Sequence, residues 1–195
     1  LYLTPSLEAR EKRSPTKAMT FGKAFHLADL EQKRFLNEVV SMPKFSGTGM
    51  MAKKDQWLTE NHGKIVLPND EMADLLLMLK SLSAHHVATS LLVGGVPELS
   101  YFWKDRETSI NCKARPDYRR NGGALIDIKT TGDASLEEFS KSVLNFGYHI
   151  SAAHYLNGVS QVLGETFERF LLIAVEKSAP YGVQVFEIDF GTLEK

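Results

Sequence analysis

The chain has 195 residues, of which 43% are hydrophobic and 24% are charged, and its formal net charge is -1. This composition is typical of a globular protein with a sizeable core, and it excludes a disordered or fibrous chain. The near-neutral charge excludes a protein that coats nucleic acid indiscriminately, and the single cysteine, Cys112, excludes an internal disulfide.

Two amphipathic helices are predicted in the first half of the chain. Apolar residues recur at helical spacing over residues 20–35, which places Gly22 and His26 one turn apart on a first helix. A second helix is expected over residues 69–92, where a capping residue begins the pattern and Gly and Pro end it. Residues 45–54, rich in Gly, Lys and Met, predict a loop.

The second half of the chain alternates between strands and helix. Strands are predicted from their β-branched and aromatic residues and the turn residues between them, in five segments: 98–104, 108–115, 124–130, 168–176 and 183–189. The first three are expected to form a meander. Residues 136–163 predict a helical stretch that breaks near Phe146 and Gly147.

The order of elements predicts a mixed α/β (α+β) fold in one domain that covers residues 1–195. The longest apolar stretch, residues 72–79, is far shorter than the roughly 20 apolar residues of a membrane span. We therefore expect no membrane partner, and the lone cysteine favours the cytoplasm. Because the chain begins at Leu1 instead of Met, residues that flank this domain in the full-length protein are expected to be missing.

Asp117, Asp127 and Lys129 form the most informative group of the chain. Successive side chains of a strand point to opposite faces, so Asp127 and Lys129 share one face while Ile128 can face a core. Residues 119–123 have the glycines and polar residues of a turn, so the two aspartates can meet across a hairpin. Such a trio can hold a cation beside a phosphate, and the alternative is a surface hairpin with solvated charges.

Basic residues are clustered, and the clusters are candidates for a phosphate track. The alternative for each cluster is a solvated polar face. The clusters lie before the first helix, in the predicted loop and around Asp117: Arg10, Lys12, Arg13 and Lys17; Lys53 and Lys54; Arg115, Arg119 and Arg120.

Three sequence blocks together resemble the PD-(D/E)xK nuclease superfamily and, within it, the RecE (exonuclease VIII) group. The blocks are residues 22–26 (GKAFH), 112–117 (CKARPD) and 125–131 (LIDIKTT), and the likeness extends over residues 19–175. The resemblance implies a restriction-endonuclease-like core, with a central mixed sheet flanked by helices. It also implies metal-ligand roles for His26, Asp117 and Asp127 and a catalytic role for Lys129.

The chemistry of these groups agrees with that assignment. Carboxylates at Asp117 and Asp127 suit Mg2+, or Mn2+, which favour oxygen ligands. His26 adds a nitrogen ligand, and the backbone carbonyl of Ile128 is a further candidate. Lys129 is expected to orient or deprotonate the attacking water, with a pKa that neighbouring cations lower.

Five further residues are candidates for contacts with the substrate. Tyr155 lies at a family position on the later helix, whereas Ser151 stands where the family usually has Gln, which predicts a weaker contact. Arg115 and Thr130 are expected near phosphate. Glu98 resembles an acidic position of the family, which implies contact with metal-bound water or a basic neighbour, and the alternative for it is a solvated strand end.

The function that the resemblance implies is a Mg2+-dependent exonuclease that digests duplex DNA from an end, 5'-to-3', and leaves single strands for recombination in a bacterial or phage-infected cell. The resemblance also implies a ring-shaped homo-oligomer and a single-strand annealing partner of the RecT type. An endonuclease and a non-catalytic DNA-binding relative remain as alternatives. A non-haem iron oxygenase is disfavoured because that site uses two histidines and one acid.

Overall fold

The structure is a computed structural model that describes residues 15–189, so that Arg10, Lys12 and Arg13 lie outside the described residues. The helices of this range are, in chain order, α1 (Lys17–Leu30), α2 (Gln32–Glu38), α3 (Met50–Glu60), α4 (Asn69–Ala84), α5 (His86–Leu91), α6 (Leu136–Asn145) and α7 (Tyr148–Leu163). No helix in this range is long and apolar enough to cross a membrane.

The strands alternate with these helices along the chain. In chain order they are β1 (Val39–Met42), β2 (Ile65–Pro68), β3 (Gly95–Pro97), β4 (Tyr101–Lys104), β5 (Asn111–Ala114), β6 (Tyr118–Arg120), β7 (Ala124–Thr131), β8 (Arg169–Glu176) and β9 (Val183–Glu187).

A mixed five-stranded sheet forms the centre of the molecule, with the strand order β3-β6-β7-β8-β9. β7 and β8 run parallel, and every other neighbouring pair in this sheet is antiparallel. The eight-residue strands β7 and β8 are its buried middle, as expected for parallel neighbours that helices cover on both faces.

The two faces of β7 contact different helical layers. Ile126 and Ile128 are fully buried in the apolar core formed with α1, α4 and α5. Leu125 points to the opposite face and packs in a second core with α6 and α7. Asp127 and Lys129 follow Leu125 at intervals of two, so they lie on the α7 face. The alternation predicted around Ile128 is confirmed.

Both long helices predicted in the first half are divided. The first ends at Leu30, and α2 begins at Gln32, because the backbone of Glu31 leaves the helical region with φ of -132°. The second ends at Ala84, and the ring of His85 accepts a hydrogen bond from the Ala88 N–H and so caps α5. The predicted loop over residues 45–54 is wrong in its second half, where α3 begins at Met50.

The predicted three-strand meander is wrong. β4 and β5 pair with each other in a two-stranded hairpin, whereas β7 joins the central sheet through β6 and β8. The place beside β7 is taken by β6, which the sequence analysis does not predict, and the β4–β5 hairpin packs against α7, where the ring of Trp103 lies directly over Gly158. The helical stretch predicted over 136–163 and the strands predicted over 168–176 and 183–189 are confirmed. The predicted break lies between α6 and α7, where Gly147 has a positive φ of 66°.

Candidate functional site

The β6–β7 hairpin brings Asp117 and Asp127 together, as the sequence predicts. Asp117 directly precedes β6, and its Oδ2 accepts a hydrogen bond of 2.6 Å from the backbone N–H of Ile128. Both carboxylates are buried, with 8% and 7% of Asp117 and Asp127 exposed. The alternative of a merely solvated hairpin is therefore wrong.

His26 reaches this hairpin from α1. Its Nδ1 lies 3.1 Å from Asp117 Oδ1, and its Nε2 donates a 2.8 Å hydrogen bond to the carbonyl oxygen of Ile128. The helix approaches β7 closely at Gly22, where an added Cβ would lie 3.8 Å from Thr130 Oγ1. The spacing of Gly22 and His26 thus places the imidazole beside the carboxylates.

Glu98 completes a cluster of candidate cation ligands. Its backbone N–H donates to the carbonyl oxygen of Asp117, and its Oε1 lies 3.8 Å from His26 Nδ1. Ligand atoms of His26, Glu98 and Asp117 all lie within 4.8 Å of one another. The backbone of Glu98 has a positive φ of 54°, a conformation that costs of order 1 kcal/mol and is concentrated at functional sites. The alternative of a solvated strand end is wrong.

Asp127 and Lys129 form a second pair beside this cluster. Lys129 Nζ donates a 2.6 Å hydrogen bond to Asp127 Oδ2, and it lies 5.1 Å from the centre of the Tyr148 ring. Asp127, predicted as a metal ligand, thus directs one oxygen at the ammonium group.

Burial and mutual charge shift the pKa values of these groups. Burial and the charge of Asp117 raise the pKa of Asp127 to about 6. Burial opposes the charged form of His26, but Asp117 and Glu98 outweigh it and raise the pKa of the imidazole to about 10. Burial also opposes ionisation of Asp117, yet His26 and Lys129 hold the pKa of this carboxyl below its usual value.

The protein's own groups raise the pKa of Lys129, whereas the decrease expected from the sequence depends on a bound cation beside the lysine. Burial favours the neutral amine, but Asp127 and Asp117 outweigh it and favour the ammonium ion. The expected decrease presumed cations beside the lysine, and here its strongest neighbours are two carboxylates. In this environment Lys129 is a cation that can contact phosphate or water.

The residues predicted to contact substrate have different surroundings. Arg115 Nε forms an ion pair with Glu98 Oε2 at 2.6 Å, and its Nη2 lies 3.5 Å from Glu31 Oε2, so its guanidinium is paired with acids. Tyr155 is half-buried, and burial together with the charge of Asp127 raises its pKa. Ser151 lies one turn earlier on α7 and is exposed.

Two clefts flank His26. The first has a volume of about 580 Å3, and its lining includes Lys23 and Arg115. The second has a volume of about 750 Å3, and its lining includes Lys129 and Thr130. A groove of similar size between α3 and α4 shares no lining residue with either cleft. The candidate site is therefore open on two sides, as a chain-like substrate requires.

The sequence analysis does not predict the position of Glu98 in the cation cluster, and it does not identify Asp29. Glu98 is predicted to contact substrate, metal-bound water or a basic neighbour but not to be a ligand of the cation, and only the tertiary fold brings it together with His26 and Asp117. Asp29 lies one turn after His26 on α1, a spacing that could have identified it. Burial raises the pKa of Asp29 to about 6, and its Oδ2 has no hydrogen-bond partner among the described residues.

The donor set fits a hard divalent cation. One imidazole with carboxylate oxygens is a combination that Mg2+ or Mn2+ accepts. The three clustered ligands are held by α1, by the chain after β3 and by the chain before β6, so they are fixed by the backbone. His26, Glu98 and Asp117 are the residues that would hold the ion, with Asp127 beside them.

The chain matches the family model described as "PDDEXK-like domain of unknown function (DUF3799)" over residues 3–195. It is also similar to the crystal structure of a protein from Eubacterium rectale named "Putative exonuclease", with 14% sequence identity and a TM-score of 0.66. The alignment covers 96% of this chain and 64% of that chain. This likeness shows the fold alone, and it confirms the predicted fold class of a central mixed sheet flanked by helices.

A second solved protein, SSO0001, aligns with 12% identity and a TM-score of 0.34 over 74% of this chain and 63% of that chain, a likeness too low to support any conclusion. No curated protein matches this chain.

Proposed function

Because this chain belongs to the PDDEXK-like family whose model it matches, we propose that it is a divalent-metal-dependent nuclease that hydrolyses phosphodiester bonds of DNA. One observation carries the proposal: ligand atoms of His26, Glu98 and Asp117 lie within 4.8 Å of one another. Asp127 and Lys129 lie beside them on β7, so the site combines a candidate cation site with a lysine, and two clefts open from it.

The bound cation, Mg2+ or Mn2+, supplies an acidified water and stabilises negative charge on the phosphate. His26, Glu98 and Asp117 would hold it, and Asp127 lies beside them, where its charge acts on Asp117. The carbonyl oxygen of Ile128 accepts a hydrogen bond from His26 Nε2, so its main role is to orient the imidazole. Outer contacts of this kind fix the ring orientation and the tautomer of a metal-binding imidazole.

Lys129 stabilises the reacting phosphate and positions the attacking water. Its ammonium group is held by Asp127 at 2.6 Å and is close to the Tyr148 ring. A raised pKa keeps it charged, which suits electrostatic stabilisation of the transition state. It becomes a proton acceptor only when the charge of the two aspartates is neutralised.

The substrate lies along the two clefts beside His26. Thr130 and Tyr155 contact the scissile strand from β7 and α7. Arg115 helps to bind phosphate after exchange of its contacts with Glu98 and Glu31, and the exposed Ser151 makes a weaker contact than an amide would. Arg115 and the lysines that line the clefts, Lys23 and Lys129, neutralise phosphates, so DNA binding is expected to weaken as salt increases.

We further propose that the enzyme digests duplex ends 5'-to-3' and leaves single strands for recombination in the cytoplasm of a bacterial or phage-infected cell. The chain spans 64% of the length of the Eubacterium rectale chain to which it is similar. The resemblance to the RecE group is the basis for two partners that we propose for the whole protein, a ring-shaped homo-oligomer and a RecT-type annealing protein. Sedimentation velocity gives the oligomeric state, and a digestion assay limited to a single DNA encounter gives the processivity. A monomer that digests long duplexes processively contradicts the ring.

The direct test is incubation of matched linear and covalently closed circular duplexes with Mg2+ and with chelator. We expect metal-dependent loss of the linear duplex from its 5' ends and no cutting of the circle. Cutting of the circle assigns an endonuclease instead. Binding without hydrolysis of either DNA identifies a non-catalytic relative. His26→Ala is the matched variant, and it should raise the metal concentration that hydrolysis requires.

A further inference from the structure

An aromatic ladder runs from the surface into the core next to Lys129. The exposed ring of Phe146 stacks on Tyr148, with ring centres 5.6 Å apart and planes 25° apart. Tyr148 contacts Phe139, and Phe139 stacks on Phe186 at 4.9 Å. Phe146 is 70% exposed. One face of the Phe146 ring therefore packs against Tyr148, and the rest of the ring is accessible to solvent.

This ring lines the larger of the two clefts beside the candidate site. The same cleft is lined by His26, Lys129, Thr130 and Lys177. It therefore combines an aromatic surface with two ammonium groups and a hydroxyl. Grooves that bind single-stranded nucleic acid have this combination, because bases stack on aromatic rings while cations follow the backbone.

We propose that Phe146 is a stacking platform for an unpaired base of the DNA strand that enters the site. This inference rests on the proposed nuclease function and names the form of its substrate, a strand that is single at the point of cleavage. The turn that carries Phe146 supports this role, since Gly147 in the left-handed conformation lets Phe146 and Tyr148 stack although they are two positions apart.

A protein partner is the competing occupant, because Leu144 and Ile150 nearby are also exposed. Two observations favour DNA. Phe146 lines the cleft with Lys129 and His26, whereas Leu144 and Ile150 do not. The cleft also carries ammonium groups, which attract phosphate.

The first experiment measures binding without hydrolysis. A fluorescent single-stranded oligonucleotide of about 10 nucleotides is titrated with the full chain in chelator at low salt. We expect Phe146→Ala to weaken binding about 5-fold or more, which is the effect of losing one base stack. Phe146→Trp should retain the affinity of the wild type.

Two control variants and one control strand isolate stacking. Leu144→Ala removes an exposed apolar residue outside the cleft, and Phe102→Ala removes a phenylalanine that is 69% exposed on β4. Both should bind the strand as the wild type does. With an abasic strand of the same length, Phe146→Ala and wild type should bind equally, because phosphate contacts remain and bases are absent.

The proposal is overturned if Phe146→Ala binds the base-containing strand as tightly as wild type, if wild type binds no single strand, or if the loss is equal on the abasic strand. A changed sedimentation coefficient for Phe146→Ala overturns it in favour of a protein interface. Hydrolysis is a separate result, since a wild-type chain that cuts no DNA refutes the nuclease function while the binding data still decide the role of Phe146.

Discussion

We propose Glu98 as a ligand of the candidate cation site, and Glu98→Gln tests this proposal. Gln preserves the size of the side chain and the backbone at φ 54°, so the change removes mainly one negative charge. That charge lies with His26 and Asp117 in a cluster within 4.8 Å. The expected result is weaker binding of Mn2+ and activity that requires more metal.

The magnitude follows from the geometry of the cluster. Two unit charges 4 Å apart interact by about 4 kcal/mol at an effective dielectric constant of 20, and a divalent ion doubles this. Hydration of the freed ion and of the carboxylate offsets most of that energy. We therefore expect Glu98→Gln to weaken metal binding at least about 10- to 100-fold, the loss that follows even when an outer contact of a metal ligand is replaced.

The assay is calorimetric titration with Mn2+ in the absence of DNA, followed by activity as a function of metal concentration. The matched control is Glu31→Gln, because Glu31 also pairs with Arg115 but lies outside the ligand cluster. Glu31→Gln should bind Mn2+ as wild type does. Equal metal affinity of Glu98→Gln and wild type refutes the assignment, and an equal loss in both variants attributes the effect to Arg115.

Three other predictions concern residues of the sheet and α7. Lys129→Ala should lower turnover at least about 100-fold with little change in Mn2+ binding, and Lys129→Arg should not restore it fully if a proton is accepted. In chelator, Asp127→Asn should raise the melting temperature at pH 7. The pKa of Asp127 is about 6 in the folded protein and about 3.9 in the unfolded chain. Ionisation of Asp127 therefore lowers the stability of the wild type as the pH rises from about 3.9 to about 6, and Asn avoids this loss. Gly158→Ala should lower the free energy of unfolding by about 1–3 kcal/mol, measured by denaturant titration, because its Cβ would overlap the Trp103 ring.

Each of these predictions has a control in the same molecule. Lys177→Ala removes an ammonium from the same cleft and should leave turnover at saturating DNA largely unchanged. Asp55→Asn alters an exposed acid of α3, so its effect on melting should be small at both pH 4 and pH 7. Asn157→Ala, exposed beside Gly158, should not destabilise α7. A melting temperature of Asp127→Asn that falls at pH 7 contradicts the charge argument.

Local sequence determined the parts of the site that a single element carries. The alternation of a strand placed Asp127 and Lys129 on one face and Ile128 in a core, and helical periodicity set Gly22 and His26 one turn apart. The break at Phe146 and Gly147 was also predicted, because Gly tolerates the left-handed conformation that ends α6. These features depend on neighbours within a few residues.

Only the tertiary structure decided which groups from separate elements meet. His26 donates to the carbonyl of Ile128, a residue 102 positions later, and Glu98 joins them from the chain after β3. The pairing of Arg115 with two acids likewise depends on α1 and on the chain after β3. Such contacts result from packing of the two helical layers on the sheet, a property of the whole chain that local spacing does not specify.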